Sequence, residues 1–239
     1  MTAEPRAPSA EPRLTIAIDG PSGAGKGTVA RAVAARLQYR HVDTGAMYRA
    51  VAWLAAHAGI DLHDEAAVAA LAARATYDLE DDRVVINQHD VARAIRTPEM
   101  DAAAAAVARH PQVREALVRR QRELGAGGGI VMEGRDIGTV VFPGADLKVY
   151  LDASADERAR RRATDPAHAA SDGRALTDVA TALAERDKSD STRAVSPLAR
   201  AADAVVIDTT GLPVEVVVQR VLDLAGSRVG RGSPRNDRA

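Results

Sequence analysis

The 239-residue chain can hold one core of ordinary size with a subdomain or two, and its Lys+Arg 32 against Asp+Glu 33 leave a formal charge of −1. No overall basic field recruits nucleic acid, so any anion site has to be built from local clusters. The lack of cysteine excludes disulfides and thiolate metal sites. With no signal-peptide pattern at the N-terminus and no apolar run near the ~18 residues of a membrane span, a soluble cytoplasmic protein is expected.

Residues 1–12 are rich in Pro and Ala without periodicity and read as a disordered leader. A buried strand over 14–18 stops at Asp19-Gly20. The stretch Gly20, Pro21, Ser22, Gly23, Ala24, Gly25, Lys26, Gly27, Thr28 follows, and a helical pattern begins at once, with Val29, Val33 and Leu37 four apart. Strand, glycine loop, lysine and helix make a phosphate cradle. Glycines let successive backbone N–H groups turn toward one anion, the helix adds its positive end, Lys26 a full charge, and Thr28 a hydroxyl for Mg²⁺. The spacing fits G-x-x-x-x-G-K, but Gly27 stands where Ser or Thr is usual and Thr28 comes one place later. This variant is typical of nucleoside monophosphate kinases, so residues 20–28 are expected to bind the phosphates of ATP.

Further on, His41-Val42 reads as a second strand, followed by a helix over 46–58 that Gly59 ends. Asp64 caps a short helix to residue 71. Alternating stretches over 76–79 and 84–86 flank the acidic turn Glu80-Asp81-Asp82, with Val91 beginning a third strand, which suggests a small antiparallel meander. Thr97-Pro98 and Pro111 open two helices. Strands are read over 130–132, 147–151 and 204–207. Ser154 and Glu157 form a capping box, a helix spans 177–186, Pro213 opens the last helix, and the tail from Ser227 reads as disordered. Five short Val/Ile-rich strands alternating with helices imply an α/β fold: a five-stranded parallel sheet with helices on both faces and ligands at the carboxyl ends of the strands. Polar clusters do follow the strands, at Asp19-Gly20, Asp43-Thr44, Glu133-Gly134-Arg135-Asp136 and Asp208-Thr209.

Phosphoryl transfer needs two phosphates held in line and their developing charge neutralised, and arginine suits this with a permanent charge and a planar fork. Candidates are Arg49, Arg135, the run Arg158, Arg160, Arg161 and Arg162, and Arg186 and Arg193 around D-K-S-D-S-T. Each could instead be a solvated charge, least so Arg135 because it follows a strand end, and the four arginines of the run cannot all face one ligand. Glu133 could hold a water on Mg²⁺ or be structural; Asp136 could read a base edge or pair with an arginine. The six histidines show no close metal-ligand spacing, and aromatic residues at 3% argue against a base-stacking platform.

The chain resembles bacterial cytidylate kinases. The likeness rests on I-D-G-P-S-G-A-G-K-G-T (18–28), D-T-G-A-M-Y-R (43–49), I-R-T-P-E (95–99), V-R-E-A-L-V-R-R-Q-R (113–122) and G-R-D-I-G-T-V-V-F-P (134–143). L-D-A-S-A-D-E-R-A-R-R-R (151–162), E-R-D-K-S-D-S-T-R-A-V-S-P-L (185–198) and D-T-T (208–210) complete it, over about residues 14–225. It implies ATP-dependent phosphorylation of CMP and dCMP with Mg²⁺. Thr44, Arg49 and Arg135 would hold the monophosphate, Arg114 and Asp136 would face cytosine, and Arg186 and Asp190 would serve the sugar and phosphate region. Arg161 and Arg193 would join Lys26, Arg135 and Arg186 around the transferring group, with Thr28 and, through water, Glu133 on the metal. The implied layout is one kinase domain over 13–226: a core of 13–42 and 126–226, a monophosphate-binding insert near 43–125 and a mobile lid near 158–174. The tail is then 227–239, the partners are small molecules only, with neither nucleic acid nor membrane, and the state is monomeric. Where some relatives carry a serine that contacts cytosine, this chain has alanine, about Ala105. Competing readings are an adenylate or other small-molecule kinase, a regulatory P-loop switch, and a nucleic-acid-binding module.

Overall fold

The computed structural model describes residues 13–80, 83–165 and 176–229. The elements in chain order are β1 (Thr15–Asp19), α1 (Lys26–Leu37), β2 (Arg40–Asp43), α2 (Thr44–His57), α3 (Glu65–Arg74), β3 (Tyr77–Glu80), β4 (Arg83–Ile86) and β5 (His89–Asp90). They continue with α4 (Pro98–Val107), α5 (Pro111–Gly125), β6 (Ile130–Gly134), a π-helical turn (Ile137–Val141), β7 (Leu147–Asp152), α6 (Ala155–Thr164), α7 (Leu176–Ser191), β8 (Val205–Asp208) and α8 (Val214–Val229). Five strands form one parallel sheet in the order β2-β6-β1-β7-β8, and β3-β4-β5 form a separate antiparallel sheet.

The period of two along the strands sorts the core into two faces. Ile16, Ile18, Val131, Leu147, Val149 and Leu151 pack with Val29 and Val33 of α1 and with Val217 and Val221 of α8. Ala17, Val42, Ile130 and Met132 face the other way, onto Met47 and Val51 of α2, Leu117 of α5, and Leu79, Val84 and Ile86 of the small sheet. Burying each large side chain of this kind stabilises by roughly 1.5–3 kcal/mol. Both faces are covered, as a parallel sheet requires.

Several expectations hold in detail. Asp64 accepts from Ala67 N at 3.0 Å, and Thr97 accepts from Met100 N at 3.3 Å. Ser154 accepts from Glu157 N at 3.3 Å, but the capping box is only half made, because the Glu157 carboxylate is taken by Arg160 and Arg161. Other boundaries need correction. The third meander strand is His89–Asp90, and Val91, buried, follows it directly and leads into a turn. Helix α7 runs on to Ser191, so D-K-S-D-S is helical; Leu183 and Asp190 are buried there and tertiary contacts carry the helix past its weak formers. Helix α8 continues to Val229, past the expected start of the tail at Ser227, because Val217, Val221 and Ala225 anchor it on the sheet. The leader 1–12, Asp81-Asp82, most of the expected lid loop (166–174) and the tail beyond residue 229 lie outside the described residues. Among the described residues no helix is long and apolar enough to cross a membrane.

The π-helical turn was not foreseen, and it sets the direction of the chain just after Arg135-Asp136. Asp19 at the end of β1 accepts from Ile137 N at 2.8 Å and Gly138 N at 2.7 Å, while Arg122 donates to the carbonyls of Val140 and Val141. Side chains from two distant elements thus satisfy both ends of the turn.

Candidate active site

A cleft of about 690 Å³ opens at the carboxyl ends of β1, β2 and β6. Its wall includes Ser22 to Thr28, Thr44, Arg49, Arg114, Glu133, Arg135, Asp136, Arg161, Arg186, Asp190 and Arg193. Nearly every residue singled out in the sequence is therefore in one place. Gly20 and Pro21 are not on that wall; they shape the loop from behind. Gly20 has φ +147°, and a Cβ there would lie 2.0 Å from the Leu151 carbonyl oxygen, so the turn off β1 admits no side chain. Pro21 gives its carbonyl to Lys26 Nζ at 2.7 Å. Burial, followed by repulsion from Arg135, pushes the Lys26 amine down to about 7.

Gly27, the departure from the usual motif, has a local cause. A Cβ at this position would stand 2.9 Å from Glu133 Oε1, so any side chain here would have to displace that carboxylate. Glu133 itself is buried beside His41, with Oε1 3.4 Å from Nε2, and Thr44 Oγ1 donates to the Glu133 carbonyl at 2.7 Å.

Across from the P-loop, arginines arrive from several elements and each meets a carboxylate. Arg49 Nη2 is 2.9 Å from Asp43 Oδ2, and Asp43 also caps α2 through Ala46 N. Arg135 Nε donates to Asp190 Oδ2 at 2.9 Å, and Arg193 Nη1 stands 3.8 Å from Asp190 Oδ1. Burial opposes charge on Asp190, but Arg135, Arg193 and Arg186 hold its carboxyl below the usual range. Arg114 and Asp136 are buried and hydrogen-bonded to each other, and burial raises the Asp136 carboxyl against the pull of Arg114. The Arg114 guanidinium also lies over the Tyr48 ring, 5.7 Å from its centroid. Arg161 donates from Nη1 to Thr209 Oγ1 at 2.8 Å and from Nη2 to the Thr209 carbonyl at 2.6 Å. Within the arginine run, Arg160, Arg161 and Arg162 reach the cleft, whereas Arg158 turns behind the P-loop to the Ser22 carbonyl and to Asp187.

Pairing leaves donors unspent. Arg49 Nε, Arg114 Nε and Arg193 Nη2 are buried with no hydrogen-bond partner among the described residues. Orphaned buried donors are rare in folded proteins, and these three lie on residues that line one cleft.

Sequence reasoning missed several residues here. Asp187, which accepts from Ser22 N at 3.1 Å, and Asp101, which meets arginines from three helices, gave no local signal. Tyr48 lay unremarked inside D-T-G-A-M-Y-R. Leu212, Val214 and Val217 form an apolar stretch of the wall beside the P-loop, and in sequence they look like any helix face. Ala104 and Ala105 of α4, with Ala108 just past its end, also line the cleft, so the alanine near position 105 offers it a methyl in place of a hydroxyl.

A parallel sheet, a P-loop at its switch point and a facing wall of arginines define a P-loop kinase. The cytidylate kinase family profile matches residues 16–227. A cytidylate kinase of Geobacillus kaustophilus (strain HTA426) is 46% identical over 226 residues, covering 91% of this chain and 99% of that protein. One from Desulfitobacterium hafniense (strain Y51) is 47% identical over 226 residues, covering 93% and 97%. Among solved structures, an uncharacterised protein from Eubacterium ventriosum shares the fold, with a TM-score of 0.52 at 10% identity over 90% of this chain and 99% of that one. The chain belongs to the cytidylate kinase family, a family of kinases.

Proposed function

We infer that the protein transfers the terminal phosphoryl group of ATP to CMP, and to dCMP, giving the diphosphates. The observation that carries this reading is the set of buried, unpartnered guanidinium nitrogens on Arg49, Arg114 and Arg193 within one cleft that also holds the P-loop. In-line transfer asks little covalent chemistry of a protein; it asks for positioning and charge neutralisation.

In this reading the backbone N–H groups of residues 22–28 and the Lys26 ammonium bind the ATP phosphates. Lys26 leaves the Pro21 carbonyl to do so, and phosphate charge restores the proton that burial disfavours. Gly20 and Pro21 hold the loop's shape. The apolar stretch Leu212, Val214 and Val217 suits the flat face of the ATP base. Thr44, Arg49 and Arg135 hold the monophosphate, while Arg161, Arg186 and Arg193 converge on the group in transit. Asp190 keeps Arg135 and Arg193 in place for it.

Mg²⁺ fits beside this site. Thr28 is exposed on the wall of the cleft, and Glu133 lines the same cleft next to Gly27. Thr28 would hold the ion directly and Glu133 through water, with the remaining positions left to phosphate oxygens and water. The ion would supply neutralisation of the phosphate oxygens.

Cytosine presents an amino donor and two acceptors, whereas uracil has a carbonyl where cytosine has the amine. A carboxylate on Asp136 accepts from the amine and repels that carbonyl, and Arg114 serves the acceptors, so the buried pair exchanges partners when the base enters. UMP is expected to be poorer than CMP by about 10³-fold or more in kcat/KM, since the wrong base leaves buried polar groups unpaired. A coupled assay of ADP formation with CMP, dCMP, UMP and AMP in turn tests the whole reading. An ATPase rate that no monophosphate alters would overturn it, and equal kcat/KM for CMP and UMP would remove the roles of Arg114 and Asp136.

A further inference from the structure

In sequence Asp101 is one of two acids in the first turn of α4, where it complements the positive end of the helix. In the structure it does something else. Its side chain is buried, at 10% exposure, and it meets a guanidinium from each of three other helices. Arg162 of α6 hydrogen-bonds to Oδ2; Arg186 Nη1 of α7 is 3.2 Å from Oδ1, and Arg49 Nη1 of α2 is 3.7 Å from the same oxygen. All three arginines line the cleft and Asp101 does not.

These cations would not gather unaided. Burial and then repulsion from Arg135 push Arg186 below the ordinary arginine range, with Arg49 adding to the repulsion and Asp101 opposing it. For Arg162 burial again disfavours the charge, Arg49 repels it, and Asp101 is the leading opposing influence. Removing the carboxylate would leave buried like charges without compensation, and such groups move apart or out to water. Phosphoryl transfer is sensitive to such movement, since a displacement of about 1 Å can cost 10²-fold in rate.

We propose that Asp101 is a positioning residue for phosphoryl transfer: from behind the wall of the cleft, its carboxylate gathers Arg49, Arg162 and Arg186 and fixes where their guanidiniums stand toward the phosphates. The inference rests on the cleft being the site of ATP-to-CMP transfer, and it assigns Asp101 a role that the P-loop and the base-reading pair do not contain. Each arginine offers Asp101 an Nη and keeps other N–H groups for a ligand. The carboxylate therefore aligns the cluster without occupying the cleft.

The test compares wild type with Asp101→Asn, with Asp101→Ser as the alternative should the amide fail to fold, with Arg162→Gln, and with the double variant. Positioning predicts that kcat at saturating CMP falls roughly tenfold to a hundredfold while KM for ATP stays within about twofold. It also predicts that the double variant loses less than the two single losses combined, because both changes break the contact the two residues share. A purely structural role would lower the melting temperature and leave this split absent. Unchanged kcat, an additive double variant, or a loss that follows melting temperature alone would overturn the inference. Inorganic pyrophosphate gives a readout independent of the base and of turnover. It should raise the melting temperature of wild type more than that of Asp101→Asn. Equal shifts, or a larger one in the variant, would mean that Asp101 does not arrange the cluster, whatever the substrate is. Absence of CMP-dependent ADP formation in wild type would instead overturn the proposed function and leave the pyrophosphate comparison to decide the part played by Asp101.

Discussion

The P-loop wall of the cleft is one continuous segment: its glycines, its lysine and its hydroxyl sit between β1 and α1 and need only the backbone to bring them together. The arginine wall draws on α2, α5, α6, α7 and the residues just past β6, and each cation there stands against a carboxylate of another element or another turn. One wall presents N–H groups that cost little to orient; the other presents charges that must be held apart against their own repulsion. The comparison teaches that the same anion chemistry can be reached by local geometry or by a long-range balance of charge, and that the two should fail differently.

The sharpest way to break the first wall is steric. Gly20→Ala puts a Cβ on the Leu151 carbonyl oxygen, so kcat/KM for ATP should fall by about 10²-fold or more, together with the melting temperature. Near-normal activity would mean that the turn off β1 is looser than its geometry implies. The second wall should break through charge. Asp136→Ala strands Arg114, buried at 2% exposure, and should destabilise the fold by roughly 3–5 kcal/mol in urea denaturation. It should also erase most of the preference for CMP over UMP; a defect in ATP use alone would make Asp136 structural.

Asp19, at the end of β1, feels the charges of both Lys26 and Asp136, and its effect depends on pH. Burial lifts its carboxyl to about 6 from an ordinary 3.8, against the two backbone N–H groups that favour the charged form. Between those values the folded state holds the proton more tightly than the unfolded chain. Its contribution to stability is therefore full below about pH 4 and lost as pH rises through 6, a change on the order of 3 kcal/mol. Asp19→Asn should not show this loss, so unfolding measured at pH 4.5 and at pH 7 should separate the two proteins. Parallel profiles would place the titration elsewhere.

Gly27→Ser tests the contact between the walls. Restoring the commoner motif residue should push Glu133 aside and lower kcat about tenfold, with stability less affected. An unchanged rate would mean that Glu133 yields freely. The smallest effect belongs to a pair outside both walls: Arg119 and Glu115 are exposed and 3.5 Å apart on α5, and Arg119→Ala should change stability by less than about 1 kcal/mol.

Legibility followed the same division. The strand, the glycine turn, Lys26 and the start of α1 could be read because the residues that make the cradle are neighbours, and short apolar runs bounded by turn residues located all five strands of the sheet. The ends of α7 and α8 could not, because buried contacts at Leu183, Val221 and Ala225 extend them past residues that look like stops. Arg135 and Asp136 were legible as a strand-end cluster, but their partners were not: Asp136 meets Arg114 from 22 residues away, and Arg135 meets Asp190 from 55.

By itself the sequence determined the fold class, the P-loop and the chemical kind of ligand, because a glycine's freedom, a helix's polarity and a lysine's charge are properties of adjacent residues. Tertiary structure alone decided that position 27 faces the Glu133 carboxylate, which carboxylate each arginine meets, and that Asp101 stands behind three of them. Those outcomes depend on which charges share one buried space. Burial makes a neighbouring charge matter at distances that the order of the chain does not encode.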